Sequence, residues 1–139
     1  MLFRSDEAGA VVEVGTLPVC LGDHAQISQV FANLLDNALK YRHADRPLRV
    51  TVTGRVAEGR AVYAVADNGI GIAPEHQAKV FEMFHRLDPE ATPGEGLGLA
   101  IAQRVLERQQ GRIWVESAGG EGCCFLLSLP ATETAAAPP

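Results

Sequence analysis

The amino-acid sequence predicts an α/β fold in two layers, in which helices cover one face of a mixed sheet. Two segments place apolar residues at helical spacing, and short strand-like segments stand before, between and after them. The chain has 139 residues, of which 47% are hydrophobic and 21% are charged. These values are typical of one globular domain with a core of its own.

The charge balance and the cysteines limit the function classes and the compartment. With 12 Lys and Arg against 17 Asp and Glu, the formal charge is −5, which disfavours nucleic acid or an acidic membrane surface as the main partner. No apolar run reaches the roughly 20 residues of a membrane-spanning helix, and the sequence does not open on a signal-peptide pattern. The three cysteines form no CxxC pair, so we expect buried thiols in a reducing, cytoplasmic compartment.

The first half of the chain predicts an edge strand, a long helix and a second strand. Val11–Val14 is a short apolar stretch before a glycine and a proline, as in an edge strand. Asp23 can cap a helix, and apolar residues then follow at helical spacing to about Arg42. Residues 48–53 alternate between apolar and polar, which is the period of a half-buried strand.

The second half predicts a hairpin, a second helix and a closing pair of strands. Residues 61–66 are apolar throughout and predict a central strand, which residues 56–60 connect to the strand before it. Residues 97–110 again show helical spacing, and Gly111 is expected to end that helix. The two final strands are expected at residues 112–116 and 123–129.

Three segments show no regular pattern. We expect residues 1–7 to be an N-terminal extension or an expression remnant, and residues 131–139, rich in Ala, Pro and Thr, to be a disordered tail. Residues 73–95 hold three prolines and only a short apolar cluster. A link of that length within a compact domain is more often functional than idle. The predicted domain therefore spans residues 8–130.

Polar residues form a second stripe along the predicted long helix. Gln26, Gln29, Asn33, Asn37 and Lys40 fall at offsets of three and four, so the last three point the same way. Carboxamide oxygens suit a hard cation such as Mg²⁺, and a lysine supplies a positive charge to phosphate. The same stripe also fits a solvated polar face.

Two glycine-containing motifs follow. Asp67 ends a strand and opens the run Asp-Asn-Gly-Ile-Gly-Ile. Its glycines allow left-handed backbone or the close approach of a flat ligand, and its carboxylate can accept a hydrogen bond from an exocyclic amine, although a plain turn has the same pattern. Residues 94–99, Gly-Glu-Gly-Leu-Gly-Leu, open the second helix, where free N–H groups can bind an anion. The same glycines also fit a flexible hinge.

Taken in order, these motifs resemble the ATP-binding domain shared by gyrase, the heat-shock protein Hsp90, histidine kinases and the mismatch protein MutL. The resemblance covers about residues 8–130 and is greatest to histidine kinases, with residues 81–117 most like phytochrome-type sensors. It implies a Bergerat-type fold with about five strands and about three helices on one face of the sheet. The matching strings are residues 33–41 (N box), 67–72 (G1 box), 80–84 (F box) and 94–101 (G2 box).

The resemblance also implies roles for individual residues. Asn37 is expected to ligate Mg²⁺ held by the triphosphate, and Asp67 to accept the adenine amino group. Residues 73–95 are expected to form a lid over ATP, anchored by Phe81 and Phe84. The implied ATP-binding set is Asn33, Asn37, Lys40, Tyr41, Asp67, Gly69, Gly71, Ile72, Phe81, Arg86, Gly94, Gly96, Leu97, Gly98 and Leu99, with Asn33, Asn37 and Lys40 as its catalytic members.

Three departures from the family pattern bear on activity. Asn33 stands where hydrolysing members have a glutamate base, and an amide cannot act as a base at neutral pH, so we expect slow hydrolysis. Glu95 stands where the family usually has threonine or serine, and its carboxylate would either repel the triphosphate or point to solvent. No segment resembles the H box that carries the phosphate-accepting histidine.

The resemblance therefore implies the catalytic domain of a sensor histidine kinase, which holds Mg·ATP for transfer of the γ-phosphate to a histidine on a separate dimerisation domain. Expected partners are that domain and, through it, a response regulator of a two-component phosphorelay. We expect no nucleic acid, no direct membrane contact and a monomer in isolation. The alternatives are a docking module whose nucleotide binding is impaired by Glu95, and a stand-alone serine kinase or ATPase, which Asn33 disfavours.

Overall fold

A computed structural model of the chain describes residues 2–4, 11–43, 45–77, 79–82, 98–117 and 122–131. The elements follow one another as β1 (Leu2–Arg4), β2 (Val11–Val14), α1 (His24–Lys40), β3 (Arg49–Ala57), β4 (Arg60–Asp67), α2 (Pro74–Gln77), α3 (Gly98–Arg108), β5 (Arg112–Ser117) and β6 (Cys123–Pro130).

The described strands form one mixed sheet in the order β1-β2-β3-β4-β6-β5. β2 and β3 are parallel, and the other neighbours are antiparallel. The mixed sheet is confirmed, with β4 as a central strand. The strand beyond the expected five is the short β1, which comes from the segment predicted to be an extension. β2 is not an edge strand, because it lies between β1 and β3.

The core lies between one face of this sheet and the helices. Alternate residues of β4 are buried, as are Phe125 and residues 127–129 of β6, and α1 and α3 pack against each other above them. Burial of one strand face and one helix stripe is the two-layer arrangement that the sequence predicts. The largest fully buried side chains are Phe125, Leu34, Leu106, Leu127, Leu129, Val30, Val50 and Val65.

Helix α1 begins where the sequence predicts. The Asp23 carboxylate accepts a hydrogen bond from the Gln26 N–H at 2.9 Å, as an N-cap residue does. The helix ends at Lys40, where the N–H of Tyr41 donates to the carbonyl of Asn37 at 3.1 Å. Its buried residues are Ile27, Val30, Leu34 and Ala38.

The link between β3 and β4 is shorter than predicted. Residues 56–60 are the expected connection, but the two strands pair as far as Ala57 and Arg60. The turn is therefore Glu58 and Gly59 alone, with φ values of 54° and 76°, as a type I′ hairpin turn requires. Val56 is 43% exposed, so the strands continue beyond the buried part of the sheet, where burial patterns no longer mark them.

Gly111 ends α3, as predicted, but for a packing reason. Its N–H donates to the carbonyl of Leu106 at 2.7 Å, whereas the residue with left-handed backbone is Gln110, at φ 62°. A Cβ atom on Gly111 would lie 2.6 Å from the carbonyl oxygen of Ser128. Glycine therefore lets the end of the helix pass directly over β6.

Ala131, the first residue of the predicted disordered tail, is held by the fold. Ala131 is buried, pairs with Cys20 in an isolated bridge, and donates its N–H to the Gly59 carbonyl at 3.0 Å. Residues 132–139 and most of the predicted lid lie outside the described residues. Among the helices described, none is both long enough and apolar enough to cross a membrane.

Candidate functional site

Three of the predicted motifs meet along the second half of α1. The Asn33 Nδ2 atom donates to the Gly98 carbonyl at 3.2 Å, which ties the N box to the first residue of α3. At the end of α1, the carbonyl of Tyr41 accepts a hydrogen bond from the Ile70 N–H at 3.0 Å. This bond ties the N box to the turn that follows Asp67 in the G1 box, which we call the G1 turn. The fold therefore brings together segments that lie far apart in the sequence.

Asn33 and Asn37 lie one helical turn apart and differ in their hydrogen bonds. Both ends of the Asn33 carboxamide are in use, because its oxygen accepts from Gln29 Nε2 at 3.0 Å while its nitrogen donates to Gly98. The half-buried Asn37 side chain makes no hydrogen bond to any described part of the chain. Asn37 therefore keeps a carboxamide oxygen that could ligate a cation.

Lys40 lies one turn beyond Asn37 and pairs with Asp36 on the helix surface. The Lys40 Nζ atom is 3.2 Å from Asp36 Oδ2, and the two side chains are 34% and 63% exposed. An exposed pair of this kind contributes only about 0.5 kcal/mol. Lys40 can therefore exchange Asp36 for a phosphate oxygen with little loss of stability.

The Asp67 carboxylate accepts hydrogen bonds on both oxygens. Oδ1 accepts from the Gly69 N–H at 2.9 Å and more weakly from the Cys123 N–H at 3.4 Å, and Oδ2 accepts from the Cys123 thiol at 3.3 Å. Burial raises the pKa of Cys123, and the adjacent carboxylate raises that pKa further, so the thiol keeps its proton. Since a carboxylate offers about four lone-pair positions, Asp67 can still accept a hydrogen bond from a ligand.

Glycines make the close contacts of this region possible. A Cβ atom on Gly69 would lie 2.5 Å from the Tyr41 carbonyl oxygen, so glycine is needed where the G1 turn meets the end of α1. Gly71 has a φ of 77°, the left-handed backbone that the sequence predicts for one of the two G1 glycines. At Gly69 the structure shows a close approach to the protein's own backbone, and the approach of a flat ligand there stays a prediction.

Ile72 and Phe81 stand at the start of the predicted lid. Ile72 is buried, and its N–H donates to the Ser117 hydroxyl at 2.8 Å. The ring of Phe81 packs edge-to-face against Phe125, with 6.2 Å between ring centroids. Phe81 therefore anchors this segment on the sheet, whereas Phe84 lies outside the described residues.

The first turn of α3 supplies backbone donors beside Asn33. Gly98 is exposed and Leu99 half-buried, and the first N–H groups of any helix have no partner within it. The helix dipole adds a partial positive charge at this end. The remaining predicted site residues, Arg86, Gly94, Gly96 and Leu97, lie outside the described residues, as does Glu95.

Sequence reasoning missed two residues that contact the G1 box (residues 67–72). The cysteines are expected to be plain buried thiols, but all three are half-buried and free, and Cys123 bonds Asp67. Arg46, in the link after α1, donates to the carbonyls of Asn68 and Gly69. The signal that could have found Cys123 is the register of the strands, because β4 and β6 pair Asp67 with Cys123, which lies 56 residues further along the chain. No local pattern points to Arg46.

Comparisons with known proteins show the family to which the chain belongs. The family of histidine kinase-, DNA gyrase B-, and HSP90-like ATPases matches residues 22–133. The phytochrome-like protein Cph1 of Synechocystis sp. is 41% identical over 128 residues, which cover 91% of this chain and 17% of Cph1. The methanogenesis regulatory histidine kinase FilI of Methanothrix harundinacea is 44% identical over 109 residues, 78% of this chain and 12% of FilI. The chain thus spans less than a fifth of these two relatives.

Solved structures of histidine kinases share the fold. The mycobacterial sensor histidine kinase MprB superposes with a TM-score of 0.76 at 33% identity, over 86% of this chain and 82% of that one. Full-length ShkA in complex with AMPPNP superposes with a TM-score of 0.78 at 31% identity, over 99% of this chain and 32% of that one.

Proposed function

Because the chain belongs to the family of histidine kinase-, DNA gyrase B- and HSP90-like ATPases, as a catalytic domain of the histidine-kinase type, we propose that it binds ATP with Mg²⁺ and presents the γ-phosphate to a histidine on a separate dimerisation domain. The observation that carries the proposal is the meeting of the N box with both the G1 turn and the start of α3. ATP needs both of these, one for its base and one for its phosphates.

The adenine end of the proposed site is Asp67. Its carboxylate is fixed by donors on both oxygens and keeps room for another hydrogen bond. The adenine amino group is a donor of matching chemistry. We assign Tyr41, Gly69, Gly71 and Ile72, which lie in or beside the turn after Asp67, to the same end of the proposed site.

The phosphate end is formed by α1 and the first turn of α3. Free N–H groups and the helix dipole favour an anion there, and Lys40 can add a point charge. Mg²⁺ fits this end because Asn37 offers a hard oxygen ligand with no competing hydrogen bond in the described structure. Bound Mg²⁺ would supply charge neutralisation on the phosphates.

The transfer needs no base from these residues. A histidine nitrogen on the other domain forms a P–N bond as the bond between the γ-phosphorus and the bridging oxygen breaks, and ADP leaves. The imidazolium proton is then lost to a base or to water outside this chain. Asn33 cannot act as a base, so water is poorly activated and slow hydrolysis is expected.

The partners and the compartment belong to the same proposal. The chain spans a small part of its sensor-kinase relatives, so we assign the phosphoacceptor histidine to another domain of the parent kinase and a response regulator to the next step. The free cysteines fit a reducing cytoplasm.

A phosphotransfer assay tests the proposal. Incubation with radiolabelled ATP and the phosphoacceptor domain of the parent kinase should label that domain with an acid-labile phosphate. Asn37→Ala should lower the initial rate at least 10-fold, since it removes the proposed Mg²⁺ ligand. Asp36→Ala, one residue away and exposed, is the matched control and should stay within about 3-fold of the wild type. ATP binding without any transfer would favour a docking module instead.

A further inference from the structure

Arg46 holds the backbone of the G1 turn from outside the proposed site. It lies in the link between α1 and β3, and its guanidinium donates twice to the turn. Nε reaches the Asn68 carbonyl at 2.7 Å, and a terminal nitrogen reaches the Gly69 carbonyl at 2.9 Å. Both bonds are partly buried and charge-assisted, which places them among the stronger hydrogen bonds in proteins.

The same link holds Asn68 by its side chain. Asn68 Nδ2 donates to the Pro47 carbonyl at 3.0 Å, and its Oδ1 accepts from the Arg49 N–H at 2.8 Å. The Asn68 N–H also donates to the Arg49 carbonyl at 3.2 Å. The turn that follows Asp67 is therefore fixed on one side by a short stretch of chain, within which Arg46 supplies the side-chain donors.

One peptide unit connects Arg46 to the Asp67 carboxylate. The Asn68 carbonyl accepts from Arg46 Nε, and the N–H of the same peptide, that of Gly69, donates to Asp67 Oδ1 at 2.9 Å. A positive charge at the oxygen end and a negative charge at the N–H end both favour the observed peptide orientation. Arg46 thus bonds the same peptide that bonds the Asp67 carboxylate, although no described contact joins the guanidinium to the carboxylate.

We propose that Arg46 is a positioning residue for base recognition, which acts through the Asn68–Gly69 peptide to fix Asp67 where it accepts the adenine amino group. The inference rests on the proposed function, because it assigns the base end of that site. Arginine is required because its planar fork reaches two carbonyls at fixed angles, and the single ammonium of lysine does not reproduce both bonds.

The test compares ADP with inosine diphosphate, which has an oxygen in place of the amino group. Titration calorimetry is run on the wild type, Arg46→Lys and Arg46→Gln. Both variants should lose about 10-fold in ADP affinity and less than 2-fold in inosine diphosphate affinity, so that the preference for ADP falls. The matched control is Arg49→Lys, because the Arg49 guanidinium pairs with Glu13 at 2.6 Å. This control should keep the wild-type preference.

A double-mutant cycle separates positioning from a general loss of stability. On an Asp67→Asn background, Arg46→Lys should change the ADP preference by less than 2-fold, since the group through which Arg46 acts is already altered. A 10-fold further loss there would overturn the inference. The inference would also be overturned if the wild type prefers ADP and both Arg46 variants keep that preference. A wild type that binds neither nucleotide would overturn the proposed function, and the inference with it.

Discussion

At the scale of single residues, the asparagines of this region differ in how much hydrogen-bond capacity they leave unused. Asn33 and Asn68 spend both ends of their carboxamides on contacts within the chain. Asn37 makes no such contact with the described residues, and Asp67 keeps room for a further donor. Sequence alone cannot make this distinction, because the three asparagines are chemically identical.

We expect Cys123 to make the stability of the fold depend on pH. Its pKa is raised above the ordinary 9.0 by burial and by Asp67. Above pH 9 the unfolded state loses the thiol proton while the folded state keeps it, so the free energy of unfolding falls as pH rises. The contribution of the Cys123 thiol to the free energy of unfolding is fully present below pH 9.

Cys123→Ser removes this titration and keeps a donor for Asp67. Between pH 9 and 10.5, the free energy of unfolding of the wild type should fall more steeply than that of Cys123→Ser, by up to about 1.4 kcal/mol per pH unit. Urea denaturation at a series of pH values measures both slopes. Parallel slopes would show that the Cys123 thiol is not protected by the fold.

At the scale of elements, α1 organises the site and is also the element that its own sequence specifies best. Asp23 caps it, and a stripe of buried apolar residues holds it on the sheet. The cap precedes Asn37 by 14 residues, which corresponds to about 21 Å along the helix axis. The cap and the site should therefore respond to substitution independently.

Asp23→Ala should lower the free energy of unfolding by about 1 kcal/mol, because the Gln26 N–H loses its acceptor. Asp23→Asn is the matched control, since asparagine caps about as well, and it should match the wild type. Thermal and urea denaturation give the stability, and ATP titration should give the same affinity for all three proteins. A loss of affinity in Asp23→Ala alone would contradict this separation.

The sequence predicts the elements better than it predicts their ends and contacts. Asp23 marks the start of α1 through local chemistry, Gly111 marks the end of α3 through its close packing on β6, and both predictions are confirmed. The two-residue turn at Glu58 and Gly59 is missed because the strand ends around it are exposed and carry no burial pattern. Arg46 is missed because its partners lie 22 and 23 residues further along the chain.

At the scale of the whole molecule, the site exists only when the fold is complete. The N box lies on α1, the G1 turn follows β4, and the proposed phosphate end includes the start of α3. Sheet order and helix packing bring these segments together. The order of the motifs in the sequence predicts the family of the chain, but not the contacts between the segments.

The most direct test of the central claim is titration calorimetry of the chain with ATP and ADP, with and without Mg²⁺, repeated on Asn37→Ala and Glu95→Thr. We predict micromolar ATP binding by the wild type, strengthened by Mg²⁺, and a loss of at least 10-fold in Asn37→Ala, about 1.4 kcal/mol. If the wild type does not bind nucleotide and Glu95→Thr does, the wild type is a docking module with an impaired site. If neither the wild type nor Glu95→Thr binds nucleotide, the assignment of an ATP site to these residues is wrong.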